Sequence, residues 1–114
     1  MEGFSCQTHE TADAVVVTVR GDVDLATRGR LTECVVAALE PGRHMVVDCA
    51  GITFMDSMGL SALVELRQLT NAIGSGFALA GVPTCVARVL ELSGTTAMFQ
   101  TIEGPGDRHG HSYV

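Results

Sequence analysis

The apolar positions change period several times along the chain, and each change marks an element. Phe4 to His9 reads as a short strand, and Glu10-Thr11-Ala12-Asp13 as a polar turn. Ala14 to Arg20 is dense in β-branched residues, which suit a pleated surface, and predicts a second strand ended by Gly21. Asp24 is placed to cap a helix beginning near Leu25 or Ala26, its carboxylate taking free backbone N–H groups. Leu31, Cys34, Val35, Ala38 and Leu39 then fall on one helical face, and Glu40-Pro41-Gly42 is a stop signal.

His44 to Asp48 predicts a brief buried strand, Cys49 to Asp56 a loop, and a helix starts near Ser57. Leu60, Leu63, Val64, Leu66, Leu69 and Ile73 give that helix a broad apolar stripe, closed by Gly74-Ser75-Gly76. Phe77 to Ala80 reads as a strand and Gly81-Val82-Pro83 as a turn. A short helix is expected from about Thr84 to Leu92, with Val86, Val89 and Leu90 inward, then an edge-like strand over Met98 to Ile102. The order β-β-α-β-α-β-α-β predicts a single α/β domain over residues 1–103, built on a mixed central sheet. The segment joining the second and third strands is long enough for a right-handed crossover, which makes those strands parallel. From Gly104 the apolar periodicity stops, and residues 104–114 are expected to form a flexible tail.

Composition narrows the function classes. Of 114 residues, 46% are hydrophobic and 18% charged, which excludes a wholly disordered chain. No apolar run approaches the roughly 20 residues of a membrane span, and Met1-Glu2 opens no signal-peptide pattern, so a cytoplasmic location is expected. The net charge is −6, and all 7 basic residues are scattered arginines. Nucleic-acid binding needs clustered positive charge, and so does binding to an anionic membrane surface; neither partner is expected. Cys6, Cys34, Cys49 and Cys85 form no CxxC pair, and His9, His44, His109 and His111 suggest no ligand set, so reduced thiols and no metal site are expected. A Gly-x-Gly-x-x-Gly run and a P-loop lysine are both lacking, and no cofactor is called for.

The informative stretch is Val46 to Leu63, where a strand delivers Asp56-Ser57-Met58-Gly59 to the start of a helix. A helix N-terminus offers unpaired N–H groups and a partial positive charge, and it stabilises an anion such as a phosphate on serine. Gly59 removes a side chain beside Ser57, which would let another protein approach closely. Three readings of Ser57 stand on local sequence: a capping residue, a modified or contacted serine, and a nucleophile. The nucleophile lacks a G-x-S-x-G elbow and an evident base. Gly21-Asp22-Val23-Asp24 and Gly81-Val82-Pro83 follow strands expected to be parallel, which places them at the same sheet edge as Ser57, the usual partner face of an open α/β sheet. Asp22 and Asp24 equally suit turn and cap chemistry.

Across residues 4–103 the sequence resembles the STAS-domain anti-sigma factor antagonists of bacteria. A strand-end GxxD element is matched by Gly21-Asp22-Val23-Asp24, and the phosphorylation motif by Asp56-Ser57-Met58-Gly59-Leu60. A turn-and-helix element is matched by Gly81-Val82-Pro83 and Leu90-Glu91-Leu92-Ser93-Gly94. The resemblance implies partner switching without catalysis by this chain. The unphosphorylated protein binds an anti-sigma factor that is also an ATP-dependent serine kinase, frees the sigma factor, and is released when Ser57 is phosphorylated. A PP2C-type serine phosphatase resets it. Partner contact falls on Gly21, Asp22, Asp24, Asp56, Met58 and Gly59, and the protein is implied to be a monomer or weak dimer. The chain departs from the family pattern at Met58, where many members carry a small or hydroxylated residue, and in its final helix, which is expected to be short or absent. The competing reading is a constitutive STAS subunit or scaffold of a lipid-transport or signalling complex, with Ser57 unmodified.

Overall fold

The computed structural model describes residues 3–103. Five strands lie in the order β1-β2-β3-β4-β5: Ser5–Glu10, Ala14–Val23, His44–Met55, Phe77–Ala80 and Gln100–Ile102. The β1–β2 hairpin is antiparallel and every other pairing is parallel, so the sheet is mixed, as expected. Three helices connect the parallel strands: α1 (Arg28–Ala38), α2 (Ser57–Ala72) and α3 (Thr84–Ser93). The expectations of a short or absent final helix and of a flexible tail fall on residues 104–114, outside the described residues.

Strand alternation separates two apolar faces. Val15, Val17, Val19, Met45, Val47, Phe77 and Leu79 form the main core with Leu31 and Val35 of α1, Leu63 and Leu66 of α2, and Val86 and Leu90 of α3. Ala14, Val16, Val46 and Ala80 form a smaller buried cluster from the alternate positions.

Five expectations need correction. The second strand does not end at Gly21 but runs to Val23, and Cys49 to Met55 is strand, not loop. These two extensions pair with each other, with register shifts between Thr18 and Arg20 and between Gly21 and Asp22. Irregular pairing satisfies the backbone while leaving Cys49, Ile52 and Met55 buried, a spacing of three that does not look like a strand. The regular turns of α1 begin at Arg28, not near Leu25. The turn before it is closed by Asp24, whose Oδ1 accepts from the Ala26 and Thr27 amides at 3.0 and 3.2 Å, while the Thr27 hydroxyl accepts from the Asp24 amide at 3.1 Å. That reciprocal pair has the logic of a capping box one turn early. Leu69 and Ile73 are partly exposed, because the last turns of α2 bury Thr70, whose hydroxyl donates to the Leu66 carbonyl at 2.7 Å. Finally, a 3-10 turn at Thr96–Met98 shortens the last strand to Gln100–Ile102, at the sheet edge.

Candidate functional site

The site is built where β3 overruns its neighbour. β4 pairs with β3 only as far as Asp48–Ala80, while β3 continues beside β2 to the Val23–Met55 pair. That leaves roughly 20 Å of paired β2–β3 ribbon beyond β4, at about 3.3 Å per residue. Its tip carries Asp22, Thr53, Phe54 and the start of α2. The Thr53 hydroxyl donates to Asp22 Oδ1 at 2.7 Å and joins the two strand ends.

Asp56 is the N-cap of α2. Its Oδ1 accepts from the amides of Met58 at 2.9 Å and Gly59 at 3.1 Å, satisfying two of the free donors of the first turn. Ser57 is therefore not the cap. It occupies the first helical position, exposed, and among the described residues its hydroxyl has no hydrogen-bond partner. Met58 is half-buried beside it. His44 opens β3 and so lies at the other end of the strand from Ser57, and among the described residues no side chain is hydrogen-bonded to the serine hydroxyl.

Gly59 plays a different part from the one expected. It is buried, and a Cβ there would lie 2.5 Å from the Val23 carbonyl oxygen and 3.0 Å from Met55 Cγ. Its missing side chain lets α2 seat against the end of β2. Gly21, half-buried at φ 97°, packs against the backbone of Gly3 and Phe4. The predicted site thus divides. Asp22, Asp56, Ser57 and Met58 belong to the ribbon tip and helix start, Asp24 closes the adjoining turn, and Gly21 and Gly59 are packing positions beneath. The Gly81-Val82-Pro83 turn does lie at the carboxyl edge, but it flanks β3: a Cβ on Gly81 would meet Ala50, and the Cys85 thiol donates to the Ile52 carbonyl at 3.6 Å.

Three residues of this surface were not foreseen. Leu25 and Phe54 expose 68% and 47% of their surface, large for apolar side chains at one sheet edge. Thr53 is the third. The available signal was an apolar residue on either side of the predicted acidic positions, at Leu25 and Phe54, inside segments read as helix and loop.

Chemically, the surface is a free hydroxyl framed by carboxylates and two exposed apolar side chains. Two of the α2 amides that would otherwise receive an anion, those of Met58 and Gly59, are already held by Asp56. A phosphate on Ser57 would add charge beside that carboxylate instead of relieving an unmet donor set. Among the described residues no group of three or more His, Cys, Asp or Glu side chains could hold a metal ion, and no helix is long and apolar enough to cross a membrane.

Residues 5–106 match the STAS domain family. An anti-sigma-B factor antagonist from Staphylococcus epidermidis is 30% identical over 98 residues, covering 85% of this chain and 89% of that protein. Among solved structures, an anti-sigma factor antagonist from Mycobacterium paratuberculosis superposes with a TM-score of 0.80 at 21% identity, over 91% of this chain and 89% of that one. The anti-sigma factor antagonist SpoIIAA in its unphosphorylated form gives a TM-score of 0.65 at 18% identity, over 88% of each chain. Ordered motifs, a mixed five-stranded sheet and a near full-length match agree: the chain belongs to the STAS domain family.

Proposed function

We propose that this protein is an anti-sigma factor antagonist that works by partner switching, with Ser57 as its phosphorylation site. The observation that carries the reading is the exposed Ser57 hydroxyl, without a hydrogen-bond partner among the described residues, at the first position of α2. The partner is an anti-sigma factor that is itself a serine kinase. It supplies ATP, magnesium and the base that takes the hydroxyl proton; this chain supplies Ser57 Oγ, to which the γ-phosphoryl group passes while ADP leaves. Asp22, Asp56, Met58, Phe54 and Leu25 form the contact surface, with apolar anchors inside a polar rim. A PP2C-type phosphatase restores the hydroxyl.

The switch needs no refolding. A phosphate brings about −1.5 to −2 charges and three acceptor oxygens. Here it lands beside Asp56, whose carboxylate already occupies the Met58 and Gly59 amides. At an interface, a wrongly paired charge costs about 2–5 kcal/mol, or roughly thirty- to several-thousandfold in affinity.

The test is a binding titration of wild type and Ser57→Ala against the purified anti-sigma kinase, with and without ATP and Mg²⁺. Both should bind without ATP. With ATP, wild type should be released carrying phosphate on Ser57, while Ser57→Ala stays bound. Equal release of the two proteins, with no phosphate on Ser57, would remove partner switching and leave a constitutive STAS subunit in its place.

A further inference from the structure

Two of the four cysteines face one cavity between β1 and α1, although they stand far apart in sequence. Cys6 lies on edge strand β1 and Cys34 on α1, and both side chains line this cavity. Thr8 Oγ1, on the same face of β1, lies 3.8 Å from Cys34 Sγ. Both cysteines are only partly buried, and together they line an open cavity of about 340 Å³ with Phe4, Arg30 and Glu33. The Arg30 guanidinium stacks 4.9 Å over the Phe4 ring and forms one wall. Cys49, by contrast, is fully buried.

We propose that Cys6 and Cys34 are an oxidation site, closing under peroxide to a reversible disulfide that staples edge strand β1 to α1. Two cysteines on the wall of one cavity, joined by rotation of the side chains and an approach of β1 to α1, can reach the roughly 2.05 Å of an S–S bond. An edge strand, paired on one side only, can accommodate that approach. The open cavity admits an oxidant as small as hydrogen peroxide.

The reaction balances with peroxide alone. A thiolate sulfur attacks one peroxide oxygen, the O–O bond breaks, and the departing hydroxide takes up a proton as water, leaving a sulfenic acid. The second thiol attacks that sulfur, the S–S bond forms, and the sulfenic hydroxyl leaves with the thiol proton as a second water. Two sulfurs have each given one electron, and peroxide has taken both. Burial and the Cys34 thiol push Cys6 up to about 12, against the nearby Arg30 charge. Cys6 is thereby held protonated, which suits it to the second step, where a thiol and its proton are used.

The experiment exposes the reduced, full-length protein to hydrogen peroxide, then alkylates it under denaturing conditions. Four free thiols should fall to two, the intact mass should drop by two hydrogens, and a digest should contain one cross-linked peptide joining Cys6 to Cys34. The oxidised protein should melt at a higher temperature, and dithiothreitol should reverse both changes. Cys6→Ser and Cys34→Ser should each keep the wild-type circular dichroism spectrum and form no intramolecular cross-link. Four thiols surviving peroxide would overturn the assignment. So would sulfinic acid at Cys34 without a cross-link, or a cross-link that includes Cys49 or Cys85.

Discussion

Gly59 sits so close under Val23 that even a methyl group at its Cα would lie 2.5 Å from the Val23 carbonyl oxygen. This contact fixes the first turn of α2 against the end of β2 and so sets where Ser57 emerges. Gly59→Ala must push the helix outward or bend the ribbon. Overpacking of this kind costs about 1–3 kcal/mol. Urea denaturation should show that loss, and a variant as stable as wild type would mean that the contact relaxes freely.

Asp56 is expected to matter through its side-chain oxygen and not through its charge alone. Asp56→Ala removes the acceptor for the Met58 and Gly59 amides and should cost about 1 kcal/mol. Asp56→Asn keeps an oxygen in place and should cost a fraction of that, since Asn caps about as well as Asp. Thermal melts of the two variants separate capping from charge. Equal losses would assign the role to the carboxylate's charge at the positive end of the helix.

These two residues also show how far the sequence could be read. The hairpin, the parallel crossover and the helix start at Ser57 were legible, because β-branched runs, capping residues and glycine stops carry local signals. The ribbon beyond β4 was not. Cys49, Ile52 and Met55 are buried at every third position because the β2–β3 register shifts twice, and a strand with shifts loses its period of two. Reading that segment as a loop hid the Thr53–Asp22 bond and the exposed Phe54. The packing role of Gly59 was not legible, because what lies under a glycine depends on a strand end that is distant in sequence. The placing of Cys6 and Cys34 on one cavity was invisible for the same reason.

Phe54 should separate binding from stability. Its side chain is 47% exposed, so Phe54→Ala creates no core cavity and should change the denaturation midpoint little. As an aromatic anchor of the proposed surface, its loss should weaken binding to the anti-sigma kinase by about 2 kcal/mol, roughly thirtyfold. Calorimetry on the variant checks this, and unchanged affinity would remove Phe54 from the surface.

Alkaline pH should expose the cost of burying Cys49. Burial, reinforced by the Asp48 and Cys85 charges, pushes its thiol from 9.0 up to about 12. Below about pH 9 both folded and unfolded states keep the proton, and the thiol adds no pH dependence. Between the two values the unfolded state ionises and the folded state does not, so stability falls as pH rises, by up to about 1.4 kcal/mol per pH unit. Cys6 acts in the same direction and is left intact in the comparison. Urea midpoints of wild type and Cys49→Ala, measured from about pH 8 to about pH 10.5, should converge as pH rises. Parallel curves would show that Cys49 does not titrate on unfolding.

Ser57→Glu sets two effects of one charge against each other. At the first position of α2 a carboxylate faces the positive end of the helix, which is worth about 0.3–1 kcal/mol in favour of folding. The neighbouring Asp56 carboxylate opposes it with a repulsion of similar size at an exposed site. The fold should therefore be within about 1 kcal/mol of wild type. Binding should respond differently, because an interface that covers Ser57 strips water from the added charge. The affinity of Ser57→Glu for the anti-sigma kinase should fall, though less than that of the phosphoprotein, since a planar carboxylate carries one charge and fewer acceptor oxygens. Raising the salt concentration should recover part of the loss where repulsion from Asp22 and Asp56 is responsible, and none of it where desolvation dominates. Melting curves beside binding titrations at low and high salt decide the matter. A Ser57→Glu protein that binds as tightly as wild type would show that charge at this position does not operate the switch.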